Sequence, residues 1–276
     1  PMRLFDSHAH YDDAHFDGET ERILAEVHAS GVEKITNIAS SLATSMASVR
    51  LAETHDFVYS SVGVHPSDAV RDMQNADWLQ QLESLYSSCE KVVAIGEIGL
   101  DYHYGKEDKE EQKLCFDAQM QLAAKLDVPV VIHDREAHED TFDILARYPS
   151  VTGVVHSFSG SFEMAKQVLK RGYCISVNGV LTFNNAKKIV DIVTRLDELA
   201  PDARERILME TDCPYLAPVP FRGKLNRSDY MLYTAEKAAD CLGISREAFC
   251  ELTYRNACRF YRIDKTGKVL RKSVEI

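Results

Sequence analysis

Arg3-Leu4-Phe5-Asp6-Ser7-His8-Ala9-His10 is the stretch on which the fold turns. It begins as an apolar, strand-like run and closes on two histidines one residue apart. Side chains alternate faces along a strand, so His8 and His10 point the same way. The same design recurs outward along the chain, in runs Arg3–His8, Lys34–Ala39, Val58–Val64, Val92–Glu97, Val128–His133, Gly153–His156, Tyr173–Val177 and Arg206–Asp212. Segments of helical period lie between them, among them Glu19–Ser30, Lys109–Leu126, Phe162–Lys170 and Asn185–Leu196. Gly31, Gly172 and Pro149 punctuate helix ends. Eight strands alternating with helices predict an α/β fold with a parallel sheet. At 276 residues the expectation is a single (β/α)8 TIM-like barrel, with a doubly wound open sheet as the alternative. Residues 1–264 are expected to form that barrel as one domain, and 265–276 a polar, loosely attached C-terminal tail.

Composition narrows the classes. Hydrophobic residues at 45% and charged residues at 27% are the mix of a soluble globular protein with ample core. No run approaches the ~18 apolar residues that cross a bilayer, and the first residues show no basic-then-apolar leader. A cytoplasmic location is expected, or a nuclear one in a eukaryote. Cys89, Cys115, Cys174, Cys213, Cys241, Cys250 and Cys258 are scattered and odd in number, without a CxxC pair. They read as reduced thiols rather than a disulfide framework or thiolate zinc site. Cys213 adjoins Asp212 and reads as a small packing residue. The net charge of −11 excludes a generally basic nucleic-acid footprint. It leaves catalysis on nucleic acid open, because a bound divalent ion can reverse the local potential.

The barrel reading sharpens the histidines and carboxylates. Active sites of such barrels lie at the C-terminal ends of the strands. His8, His10, Glu97, His133, His156 and Asp212 all stand at or beside the ends of the strand-like runs. His65, after Gly63-Val64, ends another run and joins the rim, and Glu210 falls one step below Asp212 by strand parity. Each alone has an ordinary explanation, such as a hydrogen-bonded histidine or a helix-capping acid. Six at one end of one barrel point to a metal site. Four imidazoles and two carboxylates exceed what one catalytic zinc takes, about three protein ligands plus water. Two divalent ions are therefore expected, with Glu97 as the bridging carboxylate. Such ligands suit Zn, Mn, Fe, Co or Ni, and Mg where waters complete its shell.

Six stretches carry a family resemblance: Asp6-Ser7-His8-Ala9-His10, Gly63-Val64-His65-Pro66, Gly96-Glu97-Ile98-Gly99-Leu100-Asp101-Tyr102, Val131-Ile132-His133, His156-Ser157-Phe158-Ser159-Gly160 and Glu210-Thr211-Asp212-Cys213-Pro214-Tyr215-Leu216. In order and spacing the chain resembles the TatD-family metal-dependent deoxyribonucleases, an amidohydrolase-type barrel group. The resemblance extends to Thr253-Tyr254-Arg255-Asn256-Ala257. It implies that His8, His10, Glu97, His133, His156 and Asp212 take the family's metal positions. It implies hydrolysis of DNA, often as a 3′→5′ exonuclease, with RNA accepted by some members. One departure stands out. Where the family often shows Arg-Gly-Lys-Arg-Asn-Glu-Pro, this chain has Arg222-Gly223-Lys224-Leu225-Asn226-Arg227-Ser228.

The chemistry expected is attack of a metal-activated water on phosphorus. Asp212 is expected to orient and deprotonate that water, and His65 to contact phosphate or protonate the leaving group. Arg135, Arg222 and Lys224 are candidate phosphate contacts. Tyr102, with Tyr104, Tyr215 and Phe221 beside the same motifs, is a candidate platform for a terminal base. The alternative is a two-metal hydrolase of a small amide, ester or phosphoester on the same scaffold, since fold does not set chemistry. A third reading is a non-catalytic metal-dependent binding protein. The partner expected is nucleic acid, with no membrane and a monomer by default.

Overall fold

A computed structural model of the chain describes residues 2–105 and 107–271. Its strands are β1 (Leu4–Ala9), β2 (Val32–Asn37), β3 (Val58–Val62), β4 (Val92–Asp101), β5 (Val130–Arg135), β6 (Gly153–Val155), β7 (Cys174–Val177) and β8 (Ile207–Met209). The helices of the first half are α1 (Thr20–Ala29), α2 (Leu42–Thr54), α3 (Ala69–Asp72), α4 (Trp78–Ser88), α5 (Lys109–Leu126) and α6 (His138–Ala146). Those that follow are α7 (Phe162–Lys170), α8 (Lys187–Thr194), α9 (Met231–Leu242) and α10 (Arg246–Phe260). Strand order in the sheet is chain order, and the fold is the expected (β/α)8 TIM-like barrel. By its internal contacts the described chain divides into two compact units. One comprises the described residues of 2–37 and 156–260, the other those of 38–155 and 261–271.

In the first unit β7 and β8 pair in parallel from Ile175↔Ile207 to Val177↔Met209. Beyond β8 the chain bonds to β1: the Asp212 N–H donates to the His8 carbonyl, and the His10 N–H donates to the Cys213 carbonyl, both at 2.9 Å. β1 in turn pairs in parallel with β2. The last strand therefore meets the first, which is what a barrel requires and an open sheet does not. Helix ends here follow the glycines. Gly31 and Gly172, with φ of +110° and +83°, come two residues after the ends of α1 and α7.

In the second unit β3, β4, β5 and β6 pair successively in parallel. β3 and nearly all of β4 are buried on both faces, as parallel barrel strands are. The serines of β3 are satisfied internally: Ser61 Oγ donates to the Gly96 carbonyl and accepts the Ala39 N–H. α2 opens with a capping box between Ser41 and Thr44.

Two expectations change in this unit. β4 does not stop at Glu97 but runs to Asp101, because Ile98 and Leu100 are fully buried and continue the apolar pattern. Gly99, at φ +145°, passes so close to β5 that a Cβ there would lie 1.9 Å from the His133 carbonyl oxygen. Gly99→Ala is expected to cost about 3 kcal/mol from overpacking and backbone strain. A lowered urea midpoint at unchanged slope is the check. The second change is the tail. Tyr59 donates its hydroxyl to the Gly267 carbonyl, and Ile263 bridges Val269. Arg271 donates to the carbonyls of Tyr86, Cys89 and Val92, with its guanidinium 3.9 Å above the Tyr86 ring. Residues 265–271 are thus anchored rather than loose, and 272–276 lie outside the described residues. Among the described residues no helix is long and apolar enough to cross a membrane.

Candidate functional site

The first unit gathers four of the expected ligands. His8 lies inside β1 and is 1% exposed, while His10 follows the strand. Their shared parity brings the two Nε2 atoms to 3.1 Å. Asp212 stands three residues beyond β8, in left-handed backbone at φ +57°, a region Asp tolerates better than most. Its Oδ1 is 3.0 Å from His10 Nε2 and 3.4 Å from His8 Nε2. The His156 ring stacks on that of His8 with centroids 4.0 Å apart, and His8, His156 and Asp212 converge their ligand atoms. Burial pushes the Asp212 carboxyl up, but hydrogen bonds and charge from His10 and His8 outweigh it and hold it well below the carboxylate range.

Buried polar groups hold this arrangement in place. Asp6 Oδ1 accepts the Thr211 N–H, and its Oδ2 accepts the hydroxyls of Thr211 and Ser228. Burial pushes the Asp6 carboxyl up to about 6 against those hydrogen bonds. Asn226 donates to the carbonyls of Thr211 and Tyr215, so the turn that presents Asp212 is tied on two sides. Glu210 follows β8 directly and is buried. It accepts from Ser176 Oγ and from Asn178 Nδ2, and its Oε1 is 3.4 Å from His156 Nδ1. A carboxylate there favours the tautomer protonated on Nδ1 and leaves Nε2 as the ligand atom. Cys213 is fully buried and its thiol is pushed far up by burial, so it packs as a neutral thiol.

The second unit gathers His65, Glu97 and His133. Gly96 pairs with Val131 and Ile98 with Ile132, so Glu97 is the extra residue of a β-bulge. Bulges re-aim side chains in this way beside functional sites. Glu97 Oε1 is 2.9 Å from His133 Nδ1 and 3.7 Å from His65 Nε2. His65 Nδ1 accepts the Ser67 N–H, which leaves the neutral ring's proton on Nε2, facing Glu97. His133 lies inside β5 rather than at its end, and its Nε2 is 2.8 Å from Asp101 Oδ2.

Asp101 is the residue that sequence reasoning missed. Burial pushes its carboxyl up, but hydrogen bonds from His133 and the His103 N–H bring it below its usual value. A legible signal existed: Asp101 is four residues after Glu97 in a strand that continues. A cavity of about 490 Å³ opens here, lined by His65, Asp101, Tyr104 and Gln112 among others.

The expected substrate contacts divide. Arg135 is exposed, its guanidinium 5.4 Å from the ring centroid of Tyr104. Arg222 and Lys224 are exposed on the loop after β8, over the rings of Phe183 and Phe221. Tyr102 is a correction. It is only 6% exposed and donates its hydroxyl to Asp140, so its ring packs rather than offering a stacking face. Tyr104, 85% exposed, and Tyr215, 48% exposed, offer rings instead.

Residues 5–262 match the family model described as TatD related DNase. The Bacillus subtilis protein described as "Uncharacterized metal-dependent hydrolase YabD" is 39% identical over 265 residues, covering 95% of this chain and all of that one. An Escherichia coli protein, "Uncharacterized metal-dependent hydrolase YcfH", is 35% identical over 269 residues, covering 95% of this chain and 97% of that one. Among solved structures, the TatD homologue YJJV of Escherichia coli superposes with a TM-score of 0.87 at 28% identity, covering 95% of this chain and 99% of that one.

Proposed function

This chain belongs to the TatD-related DNase family of metal-dependent hydrolases, and on that premise we propose that it hydrolyses phosphodiester bonds of DNA, working from 3′ ends, at a centre of two divalent ions. The observation that carries the metal reading is the pair of imidazole Nε2 atoms 3.1 Å apart beside Asp212 Oδ1. Two facing lone pairs repel unless a proton or a cation lies between them, and neutral imidazoles with a carboxylate suit a divalent ion. In this proposal His8, His10, His156 and Asp212 would hold metal in the first unit, and Glu97 and His133 would hold metal in the second. Glu97 would add carboxylate charge to the metal it helps hold, and Asp101 orients His133 as an outer partner. Divalent ions, when bound, lower the pKa of coordinated water toward ~7 and offset charge developing on phosphoryl oxygens.

The chain's own residues do the rest. Asp212, whose carboxyl stays ionised, orients the attacking water and accepts its proton. His65 presents its Nε2–H as a donor to a phosphoryl oxygen or to the departing sugar oxygen. Arg135, Arg222 and Lys224 bind phosphates, which gives affinity without sequence information. Tyr104, in place of Tyr102, stacks a terminal base. Arg135→Ala is expected to raise KM for oligonucleotides about tenfold with kcat little changed, the signature of lost uniform binding.

The net charge of −11 favours a second reading, an amide or ester hydrolase with an uncharged substrate. End-labelled single-stranded DNA, duplex DNA and RNA, incubated with the protein and Mg, Mn or Zn, separate the two. Stepwise shortening from the 3′ end is expected. No cleavage with any metal, alongside turnover of small amides or esters, overturns the nuclease reading in favour of the second.

A further inference from the structure

The loops that follow β6 and β7 enclose a cavity of about 420 Å³, distinct from the metal-ligand clusters. Its walls are apolar, from Phe158, Val177, Val180, Leu181 and Ile189. Its volume lies within the range of about 300–1,000 Å³ typical of small-molecule sites. The cavity is also pre-formed. Gly179 passes so close to the next loop that a Cβ would lie 2.1 Å from the Leu216 carbonyl oxygen, and Thr182 Oγ1 accepts the Val219 N–H at 2.9 Å. One wall leads to the metal ligands, because Ser176 and Asn178 line the cavity and both donate to Glu210, the partner of His156.

The mouth carries opposite chemistry. Lys187 and Lys188 are exposed and open α8, whose first turn holds no acidic residue. Two cations at a helix N-terminus oppose the helix dipole, which favours anions there. Among the described residues neither lysine has a carboxylate partner. In a chain of net charge −11, this pair beside an apolar slot is an uncompensated local cost that an anionic ligand offsets. Ser159 and Asn185, exposed on the rim, add hydrogen-bonding groups suited to the polar edge of a flat ring.

We propose that this cavity is a nucleobase subsite: the base of a deoxynucleotide enters the slot at its exposed Ser159 and Asn185 rim, and Lys187 and Lys188 pair with its phosphate. A purely apolar ligand leaves the lysines unanswered, and a bare phosphate leaves the slot unfilled. The choice of ligand rests on the phosphodiesterase reading, but the binding itself needs no turnover.

Calorimetric titration of the full chain, with divalent metal supplied, tests it. The ligands are a deoxynucleoside 5′-monophosphate and deoxyribose 5-phosphate, which share every phosphate contact and differ only in the base. The nucleotide is expected to bind at least tenfold tighter. Ser159→Trp, at an exposed rim position, is expected to erase that difference by filling the slot. The Lys187→Glu, Lys188→Glu pair is expected to weaken both ligands tenfold or more, with the paired Arg variant restoring them. Equal affinity of the two ligands for the unaltered protein overturns the subsite. So does a Ser159→Trp variant that keeps the full preference for the nucleotide. A protein that fails to cleave DNA yet shows the base-dependent difference retains the subsite while losing the proposed reaction.

Discussion

Asp212→Asn is expected to lower the rate of DNA hydrolysis by about 10³- to 10⁴-fold while leaving the fold and much of the bound metal in place. The substitution is clean for structural reasons. Asp212 occupies left-handed backbone, where Asn is as acceptable as Asp. Its N–H still donates to the His8 carbonyl, so the turn after β8 is kept. The amide oxygen remains a weak ligand, but the group can no longer take a proton. Loss of a positioned general base costs about 10²–10⁴ in rate, and the expected figure sits at the upper end because a ligand's charge is lost as well. Single-turnover kinetics alongside metal analysis is the measurement. An Asn variant with its metals and full activity removes Asp212 from proton transfer.

Glu97→Gln is expected to weaken metal binding by more than about 100-fold, beyond what loss of an outer-shell partner costs, and to abolish measurable turnover. Glu97 is the carboxylate that a bulge in β4 aims at His65 and His133. Glutamine keeps its length and an acceptor oxygen but removes the negative charge that offsets two cations. Thermal stability gives a second readout. Saturating metal at about 100 times its Kd stabilises a protein by about 2.7 kcal/mol, and the Gln variant is expected to lose most of that gain. A variant with unaltered metal content and turnover removes Glu97 from the residues that would hold metal.

Much of this was legible in the residues, and the exceptions share a cause. His8 and His10 follow from strand parity, while Glu210, beyond the end of β8, meets His156. Strand termini were less legible. Gly96 and Gly99 weaken a strand pattern, yet here they permit close approach of β4 to β5, so β4 continues to Asp101. With β4 ended at Glu97, Asp101 could not be seen as a partner of His133, nor Tyr102 as a packed residue next to exposed Tyr104. The tail was misread for a different reason. Arg271 is held by carbonyls of Tyr86, Cys89 and Val92, about 180 residues away in sequence, and local polarity carries no trace of such partners.

One titration distinguishes a two-ion phosphodiesterase from the alternatives. Metal-free protein receives Mn or Zn in fractions of an equivalent while bound metal and cleavage of a 3′-end-labelled single-stranded oligonucleotide are measured in the same samples. Two bound equivalents per chain are expected, with DNA cleavage rising to its plateau as the second is filled. Full cleavage without added metal, or two filled equivalents with no cleavage, contradicts it.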